Sequence, residues 1–586
     1  MFHRLGASLC LLLLAVTPCR AMGRDPAVRS AAAAISPEAF LVVELPEPRA
    51  VLDRLFEPQM RELLTSQVDF LRREDEQGFR DVENLIAHFE QRFATHLQGV
   101  LTGLVGGGVT LALGPGEQAL LIVEAEDAAM LSEVHDFALL IARSEAEQAG
   151  EPHGVRSADY RGVRGWSLGP HQVHALLDNR LLVANDASAI RGALDRLLDP
   201  QQPNLAGVDA YRQARRQIPD SAVARGFARA DVLRELPGEG ALQAVQQNPL
   251  AMLLLQPMWP MWEQATWLTM ALEFQDTTLH ASICGTVAWE EEEREIDSAV
   301  GGSGSGEAWA NLRVPRQIGA LSLNRDLHAF YGAKDELFPQ RTSELIFFEN
   351  MMGIFFGGRD LTEDVFAELH PEVRLVVAGQ LFPPHAVRPQ PELPGFALVL
   401  WMRHPERFAL VVEEAWQKAL GLINFTRGQQ AEPGLILDRP EHGGVRYTLA
   451  SFAPPPAGDP SAGDTRFNFQ PTLAMPGEYL IFSSTEALAR DLIEAVQAEA
   501  AAGPATLSGT HSQLDLTGPA LAALLQANRE TLIHQNMVEQ GHTRREAEAE
   551  IARMLAVFTR IVQLKLTART AGSGPLTLEI EWDLQP

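Results

Sequence analysis

Apolar and polar positions along this chain follow an order that occurs twice. Each half opens with an extended apolar run that gives way to helical spacing at a polar break: AFLVVELPEPRAVLDRLF from Ala39 to Phe56, and IGALSLNRDLHAFY from Ile318 to Tyr331. Alternation marks a strand, and recurrence at three and four residues marks a helix. On that basis Met60 to Leu104 and Glu344 to Leu369 are predicted helical. Strand pairs are predicted next, Val109 to Leu113 with Ala119 to Glu124, and Val373 to Ala378 with Phe396 to Met402. Helices at Ala128 to Glu147 and Pro405 to Phe425 follow them.

The parallel continues through YRGVRGWSL from Tyr160 and HGGVRYTLA from His442. A hairpin backed by a helix comes after each, with Asp178-Asn179 and Pro476-Gly477 as the turns. Asp186 and Ser483 stand where helix N-caps belong, Ser483 with Glu486 as a capping box. Both halves return to a strand, at Ala222 to Ala230 and Ala505 to Asp515, and close on a hairpin, from Trp267 and from Ile561. The expectation is an α+β fold of two homologous halves, residues 37–290 and 314–586, each a mostly antiparallel sheet covered by helices. Residues 291–313, with the preceding glutamates and GGSGSG, read as an acidic flexible linker, and 454–464 as a surface loop.

The units LLVANDASAIRGALDRL and YLIFSSTEALARDLIEAV, repeated within this strand, hairpin and helix order, resemble large exported bacterial envelope proteins catalogued only as a domain of unknown function. That resemblance implies an extracytoplasmic location and supplies no catalytic residues.

The first residues change the picture most. His3 and Arg4, an apolar run from Leu5 to Val16, and small residues at Cys19 and Ala21 make an export signal over residues 1–21, followed by a flexible stretch over 22–36. A run of that length is short of the roughly 20 residues a membrane-crossing helix needs, so cleavage after Ala21 is expected, with no membrane span left after it. Cleavage leaves Cys284 as the only thiol, so one mature chain closes no disulfide, and the alternating ASICGTVAW makes this thiol a small buried hydrophobe. The net charge of −28 becomes −30 once Arg4 and Arg20 are lost, a field that repels nucleic acid and anionic lipid. A periplasmic or secreted, acidic protein is the expectation.

Candidate chemistry is sparse. His171 and His174 are three apart, but on a strand that spacing points them to opposite faces. SxxK and HExxH are absent from the sequence, and Gly106 to Gly108 enter a strand where a phosphate cradle would leave one. Neither cofactor nor metal is expected. The suggestive residues are apolar: Met258, Trp259, Met261 and Trp262 in one segment, and Phe347, Phe348, Met351, Met352, Phe355 and Phe356 in another. Methionine and aromatics together suit either a core or an adaptable contact surface. The functional expectation is a non-enzymatic binding or scaffold protein, partnered by an envelope protein or an apolar ligand. An envelope hydrolase with a site assembled from distant residues and a carrier of an apolar ligand are the alternatives.

Overall fold

The computed structural model describes residues 30–57, 76–148, 150, 154–169, 172–234, 247–255, 258–275, 278–285, 306–382, 388–453, 463–570 and 576–584, with the side chains of 76–82, 259–260, 262, 570 and 584 outside the description. Residues 291–305 of the predicted linker and most of the 454–464 loop fall outside it as well, but the linker's end is not flexible, since Trp309 and Leu312 are buried in the second core, and the flexible stretch expected over 22–36 ends in the first core, with Ala32, Ala34 and Ile35 buried. The fold is α+β.

Two compact units are present. The first holds the chain up to Leu236 together with Ala265–Thr286, and the second holds Pro237–Gln264 with Val287–Gln585. Sequence order had put 237–264 in the first half. It belongs to the second unit because Met252 and Leu253 pack with Phe330, Phe338 and Leu345, and because the buried Arg325 donates from Nε to the Leu253 carbonyl at 3.0 Å.

Ten described strands form the sheet of the first unit. They are β1 (Leu41–Leu45), β2 (Gly108–Gly114), β3 (Gln118–Glu124), β4 (Val155–Tyr160), β5 (Val163–Leu168), β6 (Val173–Leu177), β7 (Arg180–Ala184), β8 (Ala224–Arg229), β9 (Trp267–Gln275) and β10 (Thr278–Gly285). All pairings within it are antiparallel, in the order β4-β5-β6-β7-β3-β2-β1-β8-β9-β10. Tight turns fix the register: Asp178, in the left-handed region, begins the two-residue β6–β7 turn, and Arg161-Gly162 does the same for β4–β5.

Helices cover both faces of this sheet. They are α1 (Pro48–Leu55), α2 (Glu76–Phe93), α3 (Leu97–Val105), α4 (Ala128–Gln148), α5 (Ala187–Leu198) and α6 (Asp209–Gln217). Ile190, Leu194 and Leu197 of α5 and Tyr211 of α6 meet Ala175, Leu182 and Phe227 on one face. His135 of α4 reaches His174, which neighbours Ala175 on β6 and so points to the other face. The predicted helix at 60–104 is broken, since α2 ends at Phe93, Ala94 turns left-handed and α3 starts after His96.

Ten described strands also form the second sheet: β11 (Gln317–Asn324), β12 (Leu369–Ala378), β13 (Gly395–Met402), β14 (Leu435–Asp438), β15 (Thr448–Phe452), β16 (Thr472–Ala474), β17 (Tyr479–Ser483), β18 (Thr510–Thr517), β19 (Ile561–Thr570) and β20 (Leu576–Leu584). Its antiparallel order is β14-β15-β16-β17-β13-β12-β11-β18-β19-β20, the order of the first sheet with ten added to each number. A small separate hairpin, Glu441–His442 with Val445–Arg446, lies in the chain between β14 and β15 and turns at Gly443-Gly444.

The helices of this unit that matter below are α7 (Pro249–Leu255), α8 (Thr342–Phe355), α9 (Pro405–Gln429) and α10 (Glu486–Ala502). Leu488, Leu492, Ile493 and Val496 of α10 pack on Ala397, Val399, Ala474 and Ile481. Phe408 and Val412 of α9 pack on Leu400, Leu473 and Leu480 of the opposite face. Two local readings need correction. The helix expected over 344–369 ends at Phe355, before Gly357 and Gly358, both left-handed. The N-cap of α10 is Thr485, whose side chain accepts from the Leu488 amide, while Ser483 is the last strand residue and its hydroxyl accepts from the Thr485 amide.

Candidate functional site

A helix of a globular domain normally turns its polar side to water. Helix α8, TSELIFFENMMGIF, does the reverse: none of its residues is buried, and Ile346, Phe347, Phe348, Met351 and Ile354 are exposed, Phe347 by 70% and Ile354 by 67%. Its ends are nevertheless anchored. Leu345 joins Met252 and Leu253 of α7 in one cluster, and Met352 joins Phe408 and Val412 of α9 in another, together with Phe356 just beyond the helix. Helix α7 repeats the pattern, with Met252 buried but Leu250, Leu254 and Leu255 exposed. These two neighbouring helices therefore present eight large apolar side chains to solvent, all of them without a basic residue in either helix.

The ten residues singled out from sequence divide between surface and core. Phe347, Phe348 and Met351 lie on the exposed face. Met352 and Phe356 are partly buried against the second-unit core, Phe355 and Met258 are half-buried, and Met261 is buried, so these five serve packing. The side chains of Trp259 and Trp262 lie outside the description. Leu250, Leu254, Leu255, Ile346 and Ile354 carry no methionine or aromatic signal, and what marks them in the sequence is the uncharged run PLAMLLL and the isoleucines flanking FFENMM.

Histidine does form a site, though with a partner that spacing could not give. His174 Nε2 and His135 Nε2 lie 3.1 Å apart, both rings buried. Trp166 of β5 stacks on His174 and meets His135 edge-on. Facing nitrogens at that distance share one proton, so one ring donates and the other accepts and both are neutral. Burial, followed by the neighbouring His135, lowers His174 to about 4. Burial lowers His135 as well, opposed by Asp136 at 3.7 Å. His171 falls outside the described residues.

Each sheet also buries polar side chains on its central three strands. In the first, Glu44 of β1 stands between Thr110 of β2 and Arg225 of β8. The Tyr211 hydroxyl donates to Glu44 at 3.2 Å. Burial pushes the Glu44 carboxyl up, against the opposing pull of Tyr211 and the nearby arginines. A cavity of about 10 Å³ beside it, lined by Val42, Glu44, Tyr211 and Arg225, has room for about one water.

In the second sheet Ser322 of β11 stands between Arg374 of β12 and Gln513 of β18, and Asn324 lies opposite Glu372. Arg374 donates to both carboxylate oxygens of Glu499 on α10, at 2.9 and 3.0 Å, and its guanidinium lies 4.8 Å from the Trp309 ring. The Tyr479 hydroxyl donates to the same carboxylate at 2.9 Å. Burial pushes Glu372 up, and on β18 it pushes His511 down to about 3, helped by Arg325. Arg374 Nε and Nη2, Glu372 Oε2, Asn324 Oδ1 and Gln513 Oε1 have no hydrogen-bond partner among the described residues. Buried water is the ordinary way to satisfy such groups.

Comparison with known proteins adds little. No protein-family model matches this chain and no curated protein matches it, so the resemblance to envelope proteins of unknown function gains no support. Among solved structures, crystal form I of TP0453 is similar at 11% identity over 46% of this chain and 85% of that one, with a TM-score of 0.24. Crystal form III gives 10% identity, 48% and 87% coverage, and the same TM-score. A likeness that slight carries no argument about fold or function. Cys284 is buried, and among the described residues no helix is long and apolar enough to cross a membrane.

Proposed function

We propose that this is an exported, non-enzymatic binding protein of the bacterial envelope, and that the α7–α8 face is its contact surface. One observation carries the reading: a fold that buries apolar side chains on both faces of two sheets leaves eight of them in water on two adjacent helices. Contiguous exposed apolar surface is the mark of an interaction site, whereas single exposed residues are not. The hydrolase alternative draws less support. The His135–His174 pair is buried, where a substrate has no access to it, and the exposed His404 shares the Glu368 carboxylate with Arg407 in a surface ion-pair cluster. The matching strand orders further support descent of the two units from one duplicated ancestor.

The test is a photo-crosslinking side chain at position 347 of the full chain in its native envelope, with position 216 on the exposed polar face of α6 as control. A discrete adduct from 347 alone is expected. Equal labelling at both positions, or none at 347, would count against the surface. Amino-terminal sequencing of the recovered protein tests export, with Met22 expected as the first residue.

A further inference from the structure

The surface proposed above has a rim as well as an apolar centre. From Lys334 to Asp364, which contains α8, the chain carries seven carboxylates (Asp335, Glu336, Glu344, Glu349, Asp360, Glu363, Asp364) and three cations (Lys334, Arg341, Arg359). Each of those cations is already matched by a carboxylate: Lys334 by Glu349 at 3.3 Å, Arg341 by Glu344 at 2.9 Å and Arg359 by Glu414 at 3.8 Å. Asp335 and Glu336 are exposed beside Leu337, which packs in the cluster that joins α7 to α8. An apolar centre with an acidic border therefore faces solvent.

That sign discriminates among occupants. A second copy would bring the same acidic border and a chain of net charge −28 against its twin. An anionic lipid surface is repelled likewise, and interfacial helices that bind one carry lysine or arginine, which α7 and α8 lack. A border of carboxylates is complemented by cations, and an apolar centre by an apolar stripe.

Resting on the reading of this face as a contact surface, we infer that its partner is a protein segment with an apolar helical stripe flanked by lysine or arginine. Aliphatic and aromatic side chains of the stripe cover Phe347, Met351 and Ile354, and the flanking cations meet Asp335 and Glu336. The apolar contacts hold the complex, and the charges select the partner and speed its approach.

Defined probes test this with the full mature chain. Two 18-residue helical peptides share one leucine stripe, flanked by lysine in the first and by glutamate in the second, and binding is followed by fluorescence anisotropy. The lysine peptide is expected to bind at least tenfold tighter. Phe347→Ser with Ile354→Ser should weaken it at least tenfold, while circular dichroism and Tm stay unchanged because both side chains are exposed. Asp335→Lys with Glu336→Lys should cut the preference for lysine at least threefold and leave the leucine-dependent part.

Equal binding of the two peptides, still lost in the serine variant, would overturn the charge inference and leave the contact surface standing. Binding of the lysine peptide undiminished in the serine variant would mean attraction to net charge alone and would overturn the inference. Binding to phosphatidylcholine vesicles, or self-association, that disappears in the serine variant with no peptide binding would overturn it in favour of lipid or of a second copy.

Discussion

The two units place different chemistry at one position of one topology. His174 on β6 stands opposite Val183 of β7, and Leu473 on β16 stands opposite Phe482 of β17, which is the corresponding pair. Their helical partners correspond too, since His135 is the eighth residue of α4 and Val412 the eighth of α9. The first unit thus holds helix to sheet through a hydrogen-bonded imidazole pair, and the second through Val412 and Leu473 within an apolar cluster. The strand order accommodates either, because both fill the space between a helix and the far face of the sheet. What changes is sensitivity to acid. The central strands invert the contrast, for there the second unit holds a charged pair, Arg374 with Glu499, while the first holds Glu44, a carboxyl that burial favours as neutral.

The largest effect should come from that charged pair. The Arg374 side chain is 4% exposed and that of Glu499 13%. Removing one member leaves the other buried and uncompensated, which costs about 3–5 kcal/mol. Arg374→Met should therefore destabilise the second unit by that order, read by amide hydrogen exchange in peptides from β12 and α10, with those from β1 to β8 unchanged. Protection in β12 within experimental error of wild type would show that the pair contributes nothing net.

The histidine pair should come next, and through pH. Both folded-state pKa values lie below the ordinary 6.5, that of His174 at about 4. The folded protein therefore binds fewer protons than the unfolded chain between those values. Stability from the neutral pair is complete above 6.5 and is lost as pH falls from there through about 4. For His174 the loss is roughly 3 kcal/mol. Protection factors in α4 and β6, which divide out the intrinsic pH dependence of amide exchange, should fall between pH 7 and pH 4 by more than those in α9 and β16. His135→Val with His174→Leu, which copies the second unit, should flatten the difference. An acid response that persists in this double variant would assign it to other groups.

Helix caps should give a smaller effect of similar size in both units. Asp186 accepts from the Ser188 amide at the start of α5, and Thr485 from the Leu488 amide at the start of α10. Replacing either by Ala should cost about 1 kcal/mol, within a range of about 0.5–2. Ser483→Ala should cost less, since its hydroxyl touches the Thr485 backbone ahead of the helix and caps no helical amide. A larger loss from Ser483→Ala than from Thr485→Ala would restore the capping box read from sequence.

Most strands and their sequential order were legible, because alternation and turn residues are local signals. Three things were not. The segment 237–264 changed units because its contacts, Met252 with Phe330 and Leu253 with Arg325, span some seventy residues of chain. The buried polar residues drew no prediction: Ser322 and Asn324 share a face with Ala320, but no local pattern says that a helix and Trp309 cover that face. His135 was the most recoverable omission. It sits at four-residue spacing between Leu131 and Leu139, on the stripe that α4 buries, where a titratable residue needs a partner. The apolar surface was half legible, with α8 found through its aromatics and α7 missed because an aliphatic run looks like any core segment.

The smallest predicted effect separates two readings of Glu44. If its charge paired with Arg225, removing that charge would cost as much as breaking the pair in the second unit. Burial instead raises its pKa above the ordinary 4.5, and the Tyr211 hydroxyl donates to it whether or not it is ionised. A raised carboxyl pKa means that the folded protein holds its proton longer than the unfolded chain. The stability this gives is complete below 4.5 and is lost as pH rises through the folded value. Gln has nearly the same shape, offers an oxygen to Tyr211 and has no charge to desolvate. Glu44→Gln should therefore stay within about 1 kcal/mol of wild type at pH 7 and compare less well at pH 4, where wild type is protonated too. Amide exchange in β1 and β8 at the two pH values reads both outcomes. A cost of about 3 kcal/mol at pH 7 that shrinks at pH 4 would make Glu44 the charged partner of Arg225, and the central strands of the two units would then be alike.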